Sequence, residues 1–147
     1  MPRDGSEYFR ERIKPLMEGK RVEFVGEVGD KDKAKFLGKA AALLFPIDWP
    51  EPFGLVMMEA MACGTPTVAY RRGSVPEIIE DGVSGFVVDN EGQALTAIAR
   101  ARELDRRGVR AAFERRFTAR RMAEDYVQVY RRLAEDHRRT EAVAAAG

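Results

Sequence analysis

Two glutamates separated by seven residues, Glu51 and Glu59, flank the turn Phe53-Gly54-Leu55-Val56. Their chemistry suits hydroxyl groups, and the turn between them suits an anion. The first amides of a helix have no intrahelical acceptor, and the aligned peptide dipoles make that end positive, so phosphate is a fitting ligand there. Gly54 permits close backbone approach and an unusual φ. Glu59 is the odd residue of its segment, because Val56, Met57, Met58, Ala60, Met61, Ala62 and Cys63 surround it. A helix apolar on nearly all faces is expected to be buried. An unpartnered polar group there costs about 2–7 kcal/mol, and more if charged. Glu59 lies too deep in the helix to reach back as a capping-box residue. Two readings stand: an internal partner satisfies the carboxylate, or a bound polyol such as ribose supplies the donors. Glu51 sits between Pro50 and Pro52, and alone it is a solvated loop charge.

The elements that must position these residues follow from periodicity. Ala41–Pro46 (AALLFP) is a continuous apolar run bounded by proline, the pattern of a buried parallel strand. Residues 47–53 are loop, Gly54–Cys63 is helix, and Thr67–Tyr70 and Phe86–Val88 are further strands. Upstream, residues 6–18 have helical spacing with Ser6 as cap and Pro15 able to end or kink the helix. Arg21–Gly26 alternates like a strand. Asp30–Lys39 is a short charged helix with Ala34, Phe36, Leu37 and Ala40 facing inward. Val75–Glu80, with Pro76 near its start, is a helical turn, and residues 91–104, 106–116 and 118–137 are helical. Strands separated by helices predict an α/β fold, a Rossmann-like parallel sheet with flanking helices. Ligands of such sheets bind beyond the carboxyl ends of the strands, where the Gly54 turn lies.

Composition bounds the rest. The 147 residues suffice for one domain with a real core, and a net charge of +1 supplies no bulk field toward nucleic acid or a membrane. The arginine pairs between residues 106 and 139 are interleaved with acids, which favours a solvated helix face over contact with acidic lipid; any membrane contact is expected to be peripheral. One Cys and one His exclude an ordinary His/Cys metal cluster, and Cys63 is expected as a small core residue in a reducing, cytoplasmic setting. No Walker-type loop is present, so nothing supports a nucleoside triphosphatase. Leu55, Met57, Met58 and Met61 are expected as core filler. Trp49 is expected to cover a pocket or pack on its rim. Tyr126, Val129, Tyr130 and Leu133 are expected to form the packed face of the last helix.

With these residues in view, the sequence resembles glycosyltransferase family 4, a retaining family with the GT-B fold. The resemblance is carried by EPFGLVMMEAMACGTPTVA, RRGSVPEII and EDGVSGFVVD, with the two glutamates seven residues apart, and spans about residues 8–135. It implies the donor-binding, C-terminal half of a nucleotide-sugar-dependent transferase, occupying residues 1–140, with 141–147 a tail that frays. The catalytic pair would be Glu51, binding hydroxyls of the transferred sugar, and Glu59, holding the ribose. Phe53, Gly54, Leu55 and Val56 would offer the substrate-binding turn, and Gly26, Glu27 and Val28 would line the base pocket. Arg72-Gly73-Ser74 precede a Pro-Glu pair in which Glu77 is structural. The family uses neither a metal nor a resident cofactor; the nucleoside-diphosphate sugar is a substrate.

The sequence also departs from the family pattern. The Gly-Arg and Lys-Gly pairs that clamp the diphosphate are not found, and the family's first two strands of this domain and its acceptor-binding N-terminal domain have no counterpart here. In the strand order 3-2-1-4-5-6 the strand Arg21–Gly26 then lacks its neighbours. It is expected to pair directly with Ala41–Pro46, to be completed by an N-terminal domain or partner chain, or to leave open sheet edges that self-associate. The alternative function is a truncated, non-catalytic nucleotide-binding or interaction module. A GT-B epimerase or phosphorylase fits the Glu-x7-Glu context less well.

Overall fold

A computed structural model describes the backbone of residues 5–145 and the side chains of 7–141. The chain divides into two units, Met1–Asp30 and Lys31–Gly147.

In the first unit a helical stretch runs from α1 (Gly5–Tyr8) through a π-helical segment (Phe9–Ile13) to α2 (Lys14–Met17). The Lys14 N–H donates to the Phe9 carbonyl, one residue further back than in an α-helix. Pro15 has no N–H to give the preceding turn, and the wider π turn directly before it absorbs that loss, so the helix continues to Met17. The Ser6 side chain, expected to cap it, lies outside the described residues. Arg21–Gly26 does not form the expected strand. Residues 22–29 are irregular, and Val22, Phe24 and Val25 are exposed. Alternation stabilises a strand only when a neighbour completes the ladder and covers one face; here Phe24 instead stacks on Phe9, ring centroids 4.5 Å apart.

The second unit holds a three-stranded parallel sheet in the order β1 (Leu43–Phe45), β2 (Thr67–Tyr70), β3 (Gly85–Val88). The register sets Leu43, Leu44 and Phe45 beside Thr67, Val68 and Ala69, and these last two beside Phe86 and Val87. β1 has β2 as its one ladder partner, so the expected direct pairing with Arg21–Gly26 is not what the sheet uses. Period-two alternation feeds two cores. Ala69 faces one layer, where Met57 and Met61 of α4 (Leu55–Ala62), Val75 and Ile78 of α5 (Val75–Ile78), and Val109 and Ala112 of α7 (Arg106–Arg116) are buried, with Leu43, Phe45 and Val87 packed against them. Val68, Phe86 and Val88 face the other layer, under Ala97 and Ala101 of α6 (Glu91–Ala101). This is an α/β, Rossmann-like sheet with flanking helices.

Side-chain expectations need four corrections. In α3 (Asp30–Lys39) only Leu37 is buried, while Ala34 and Phe36 are exposed. Leu55 is exposed and Met58 half-buried, because the first turn of α4 leaves the core. Cys63, beyond the last turn of α4, is half-buried, its Sγ donating to the Ala34 carbonyl. In α8 (Ala119–Ala145) Tyr126, Val129, Tyr130 and Leu133 are exposed rather than packed. The tail expected to fray is helical to Ala145, and Ala146 and Gly147 lie outside the described residues. Among the described residues no helix is long and apolar enough to cross a membrane.

Several arginines that look solvated in sequence serve as caps. Arg106 donates to the Ala40 and Gly38 carbonyls at 2.7 and 2.8 Å and to Thr65 Oγ1 at 2.9 Å, while Thr65 donates to the Leu37 carbonyl at 2.7 Å. The end of α3, the α4–β2 turn and the start of α7 thus meet at one guanidinium. Arg110 reaches the Ala62 carbonyl at the end of α4, and Arg116 reaches the Glu77 and Ile78 carbonyls of α5. Cations satisfy orphan carbonyls and complement the negative end of a helix.

Arg106→Ala is therefore expected to cost about 2–3 kcal/mol in urea unfolding, whereas Arg107→Ala stays within about 0.5 kcal/mol. In hydrogen exchange the amides of Val22, Phe24 and Val25 are expected to exchange near the unprotected rate while Val68 and Ala69 are protected. Protection at the first three would show that a ladder partner is present in solution.

Candidate functional site

The loop after β1 and the turn after β2 leave the same end of a parallel sheet, and the second holds the first. Gly73 has φ +47° and touches the Pro50–Glu51 backbone so closely that an added Cβ would stand 2.3 Å from the Glu51 carbonyl oxygen. The Ser74 N–H donates to that oxygen at 2.8 Å. Arg72 Nε donates to Asp48 Oδ1 at 2.9 Å. Three consecutive residues thus fix the loop by an ion pair, a close approach and a main-chain hydrogen bond.

The held loop delivers Glu51 to the mouth of α4. Gly54, the residue before the helix, is left-handed at φ +61°, ψ +39°. Its amide donates to Glu51 Oε1 at 3.0 Å, and the Phe53 amide does so at 3.3 Å. The Trp49 indole N–H donates to Glu51 Oε2 at 3.2 Å, so Trp49 packs on the rim against the glutamate. The Gly54 amide first, then the Trp49 indole, hold the Glu51 carboxyl below its ordinary range. The next two amides, of Leu55 and Val56, have no acceptor within the described protein. Ser74 Oγ is buried beside Gly54 and has no hydrogen-bond partner among the described residues.

Glu59, one turn further along α4, differs from the expectation of a carboxylate buried among apolar residues. Its side chain is 39% exposed, and Lys33 of α3 pairs with its Oε1 at 2.9 Å. The helix is sealed only on the side carrying Met57, Ala60 and Met61. Lys33 comes from 26 residues upstream, and spacing within the helix gave no hint of it. Glu51, Phe53, Gly54, Leu55 and Val56 therefore share one loop and helix mouth, and Glu59 follows one turn further along α4. Gly26, Glu27 and Val28 lie in the first unit, where Gly26 has φ +69° and Gly26 and Glu27 are exposed. Arg72, Ser74 and Lys33 are the neighbours that the motif alone did not mark as contributors; the signal for Gly73 was the glycine itself. Glu77 contributes its main chain, its carbonyl accepting from Arg116. Among the described residues no group of three or more His, Cys, Asp and Glu is placed to hold a metal.

The Glu51 contacts carry a sign with pH. A carboxyl whose folded pKa lies below its unfolded value contributes stability that is present above the unfolded pKa and is lost as pH falls through the folded one. Urea midpoints of the wild type and Glu51→Gln should therefore differ in favour of the wild type at neutral pH. The difference should shrink as pH drops below about 4.5, the ordinary value. A difference independent of pH would show that the amides do not hold the ionised form.

The family model described as glycosyl transferases group 1 matches residues 3–135. A D-inositol 3-phosphate glycosyltransferase of Streptomyces griseus is 37% identical over 125 residues, covering 80% of this chain and 26% of its own length. The chain thus spans about a quarter of that relative. Among solved structures, sucrose-phosphate synthase from Thermosynechococcus elongatus superposes with a TM-score of 0.73 at 29% identity, over 90% of this chain and 35% of its own. Anabaena Alr3699/HepE, solved in complex with UDP-glucose, gives 0.69 at 25% identity over 85% and 36%. The sheet is thus part of a GT-B fold, and the chain belongs to the glycosyl transferases group 1 family.

Proposed function

We propose that this chain is the donor-binding part of a retaining glycosyltransferase and that its ligand is a nucleoside-diphosphate sugar. The observation that carries the reading is the mouth of α4, where the Leu55 and Val56 amides have no acceptor among the described residues, next to Glu51 on a loop fixed by Arg72, Gly73 and Ser74, with Glu59 one turn further along the helix. Phosphate oxygens would accept from those amides and take the positive end of the helix dipole. Glu51 would accept from hydroxyls of the transferred sugar, and Glu59 from the ribose. Gly26, Glu27 and Val28 would face the base. That a related protein was solved with UDP-glucose supports a nucleotide sugar as the ligand class.

In the transfer, the bond from the sugar's anomeric carbon to the diphosphate oxygen breaks and the diphosphate leaves. A bond to an acceptor hydroxyl forms on the same face, and that hydroxyl's proton passes to the departing diphosphate oxygen. The chain's contribution is position and electrostatic stabilisation of the leaving group. Neither a metal nor a resident cofactor enters this reading, and a reducing cytoplasm suits the single Cys63. The acceptor site belongs to an N-terminal domain or partner chain. One observation favours the second reading, a non-catalytic module: Glu51 already occupies the Phe53 and Gly54 amides.

Calorimetric titration with UDP, GDP and ADP separates the two. Heat with at least one is expected, with affinity falling about tenfold in Glu59→Gln through loss of a charge-assisted hydrogen bond. No heat with any of them at millimolar concentration would leave the non-catalytic module.

A further inference from the structure

The pair between Lys33 and Glu59 has a use beyond holding two helices together. It lies at one end of the seam between α3 and α4, which continues through Cys63 on the Ala34 carbonyl and Thr65 on the Leu37 carbonyl. Those lower contacts join the helices through backbone acceptors, and Arg106 reinforces them. The upper contact joins two charged side chains, about a third exposed each. An ion pair so exposed contributes little to stability. Its consequence is geometric. The residues of α4 three and four positions from Glu59 are Val56, Ala62, Leu55 and Cys63, none of which can orient a carboxylate through charge. Lys33 supplies that orientation from outside the helix. It engages Oε1, while Oε2 has no partner among the described residues.

We infer that Lys33 is a positioning residue that holds Glu59 with one oxygen turned to accept from the vicinal hydroxyls of a nucleotide ribose. The inference rests on the donor-binding reading and deepens it. A carboxylate with one oxygen fixed presents the other in one orientation, so the ligand's hydroxyls need not immobilise a free rotor on binding.

The test compares the 147-residue chain with Lys33→Met and Lys33→Arg. The probe is whichever of UDP, GDP and ADP binds best, together with its 2′,3′-dideoxy analogue. The wild type is expected to prefer the ribonucleotide by about tenfold or more, the worth of a hydrogen bond to a charged group. Lys33→Met should lower that preference toward unity while affinity for the dideoxy analogue is unchanged; Lys33→Arg should restore most of it. Should Lys33→Met fail to fold, Lys33→Gln carries the same comparison. An equal loss for both nucleotides would mark Lys33 as merely structural and overturn the inference. So would an unchanged preference in Lys33→Met. If the wild type binds a nucleotide but does not distinguish it from the dideoxy analogue, the ribose role of Glu59 falls and that of Lys33 with it, while nucleotide binding stands. If no nucleotide binds, the donor-binding reading itself fails.

Discussion

One backbone contact governs the carboxyl end of the sheet. Gly73 lies against the Glu51 main chain at a distance that no side chain at position 73 would permit. Because β1 and β2 are parallel and adjacent, the loop leaving one and the turn leaving the other necessarily meet. The contact turns that meeting into a fixed geometry. With the Glu51 carbonyl bound to the Ser74 amide, the Glu51 side chain accepts from the Phe53 and Gly54 amides at the mouth of α4 and from the Trp49 indole. The left-handed Gly54 then starts the helix directly after the held loop. Without these contacts the glutamate and the amides would sit on the nine-residue loop 46–54, with its three prolines, free to point elsewhere.

The helices around this point are anchored by charge as much as by the apolar core. The buried residues of the two layers are mostly alanines and valines, with Met57, Met61, Ile78, Ile79 and Phe86 the larger ones. Alanines and valines give area but little directional preference. Arg106, Arg110 and Arg116 provide that direction, each gripping the carbonyl end of a different helix. Guanidinium suits this work, because its planar fork reaches two carbonyls at once. Arg115 adds an ion pair to Glu80. The arginine-rich third of the chain is therefore divided. In α7 it is structural, whereas in α8 Arg120 and Arg121 pair with Glu124 and Asp125 of their own helix.

What sequence could reveal follows the range of the interactions. The strands of the sheet and the helix after Gly54 were legible because hydrophobic runs, prolines and glycines act within a few residues; the strand order was an expectation from the fold that the sequence resembles. The mouth of α4 was legible for the same reason. Arg21–Gly26 was misleading because alternation specifies a face and not a partner. Glu59 was misleading because the apolar residues around it bury one side of α4 only, and its cation comes from a different helix. The arginine caps were illegible because a carbonyl acceptor leaves no mark in sequence. The exposed stripe on α8 shows the same limit: Met122, Tyr126, Val129 and Leu133 have the spacing of a packed face, and spacing does not say what packs on it.

Charge at the site bears on how much of a transferase this chain can embody. Arg72 is committed to Asp48, and Lys33 to Glu59. Under the proposed reading, phosphate oxygens at the mouth of α4 would be met by amides and a helix dipole, the latter worth about 0.3–1 kcal/mol at an exposed terminus. Micromolar affinity requires about 8 kcal/mol. Two carboxylates nearby repel the same phosphate, so binding by the chain alone is expected to be weak without further positive charge. The resemblance places that charge in the Gly-Arg and Lys-Gly pairs, which have no counterpart here. The glutamates then make sense as selective elements. Under that reading they would strengthen contacts to sugar hydroxyls and oppose bare phosphate, so this wall of the site would discriminate among ligands while cations from an N-terminal domain or partner chain would set how tightly any of them is held.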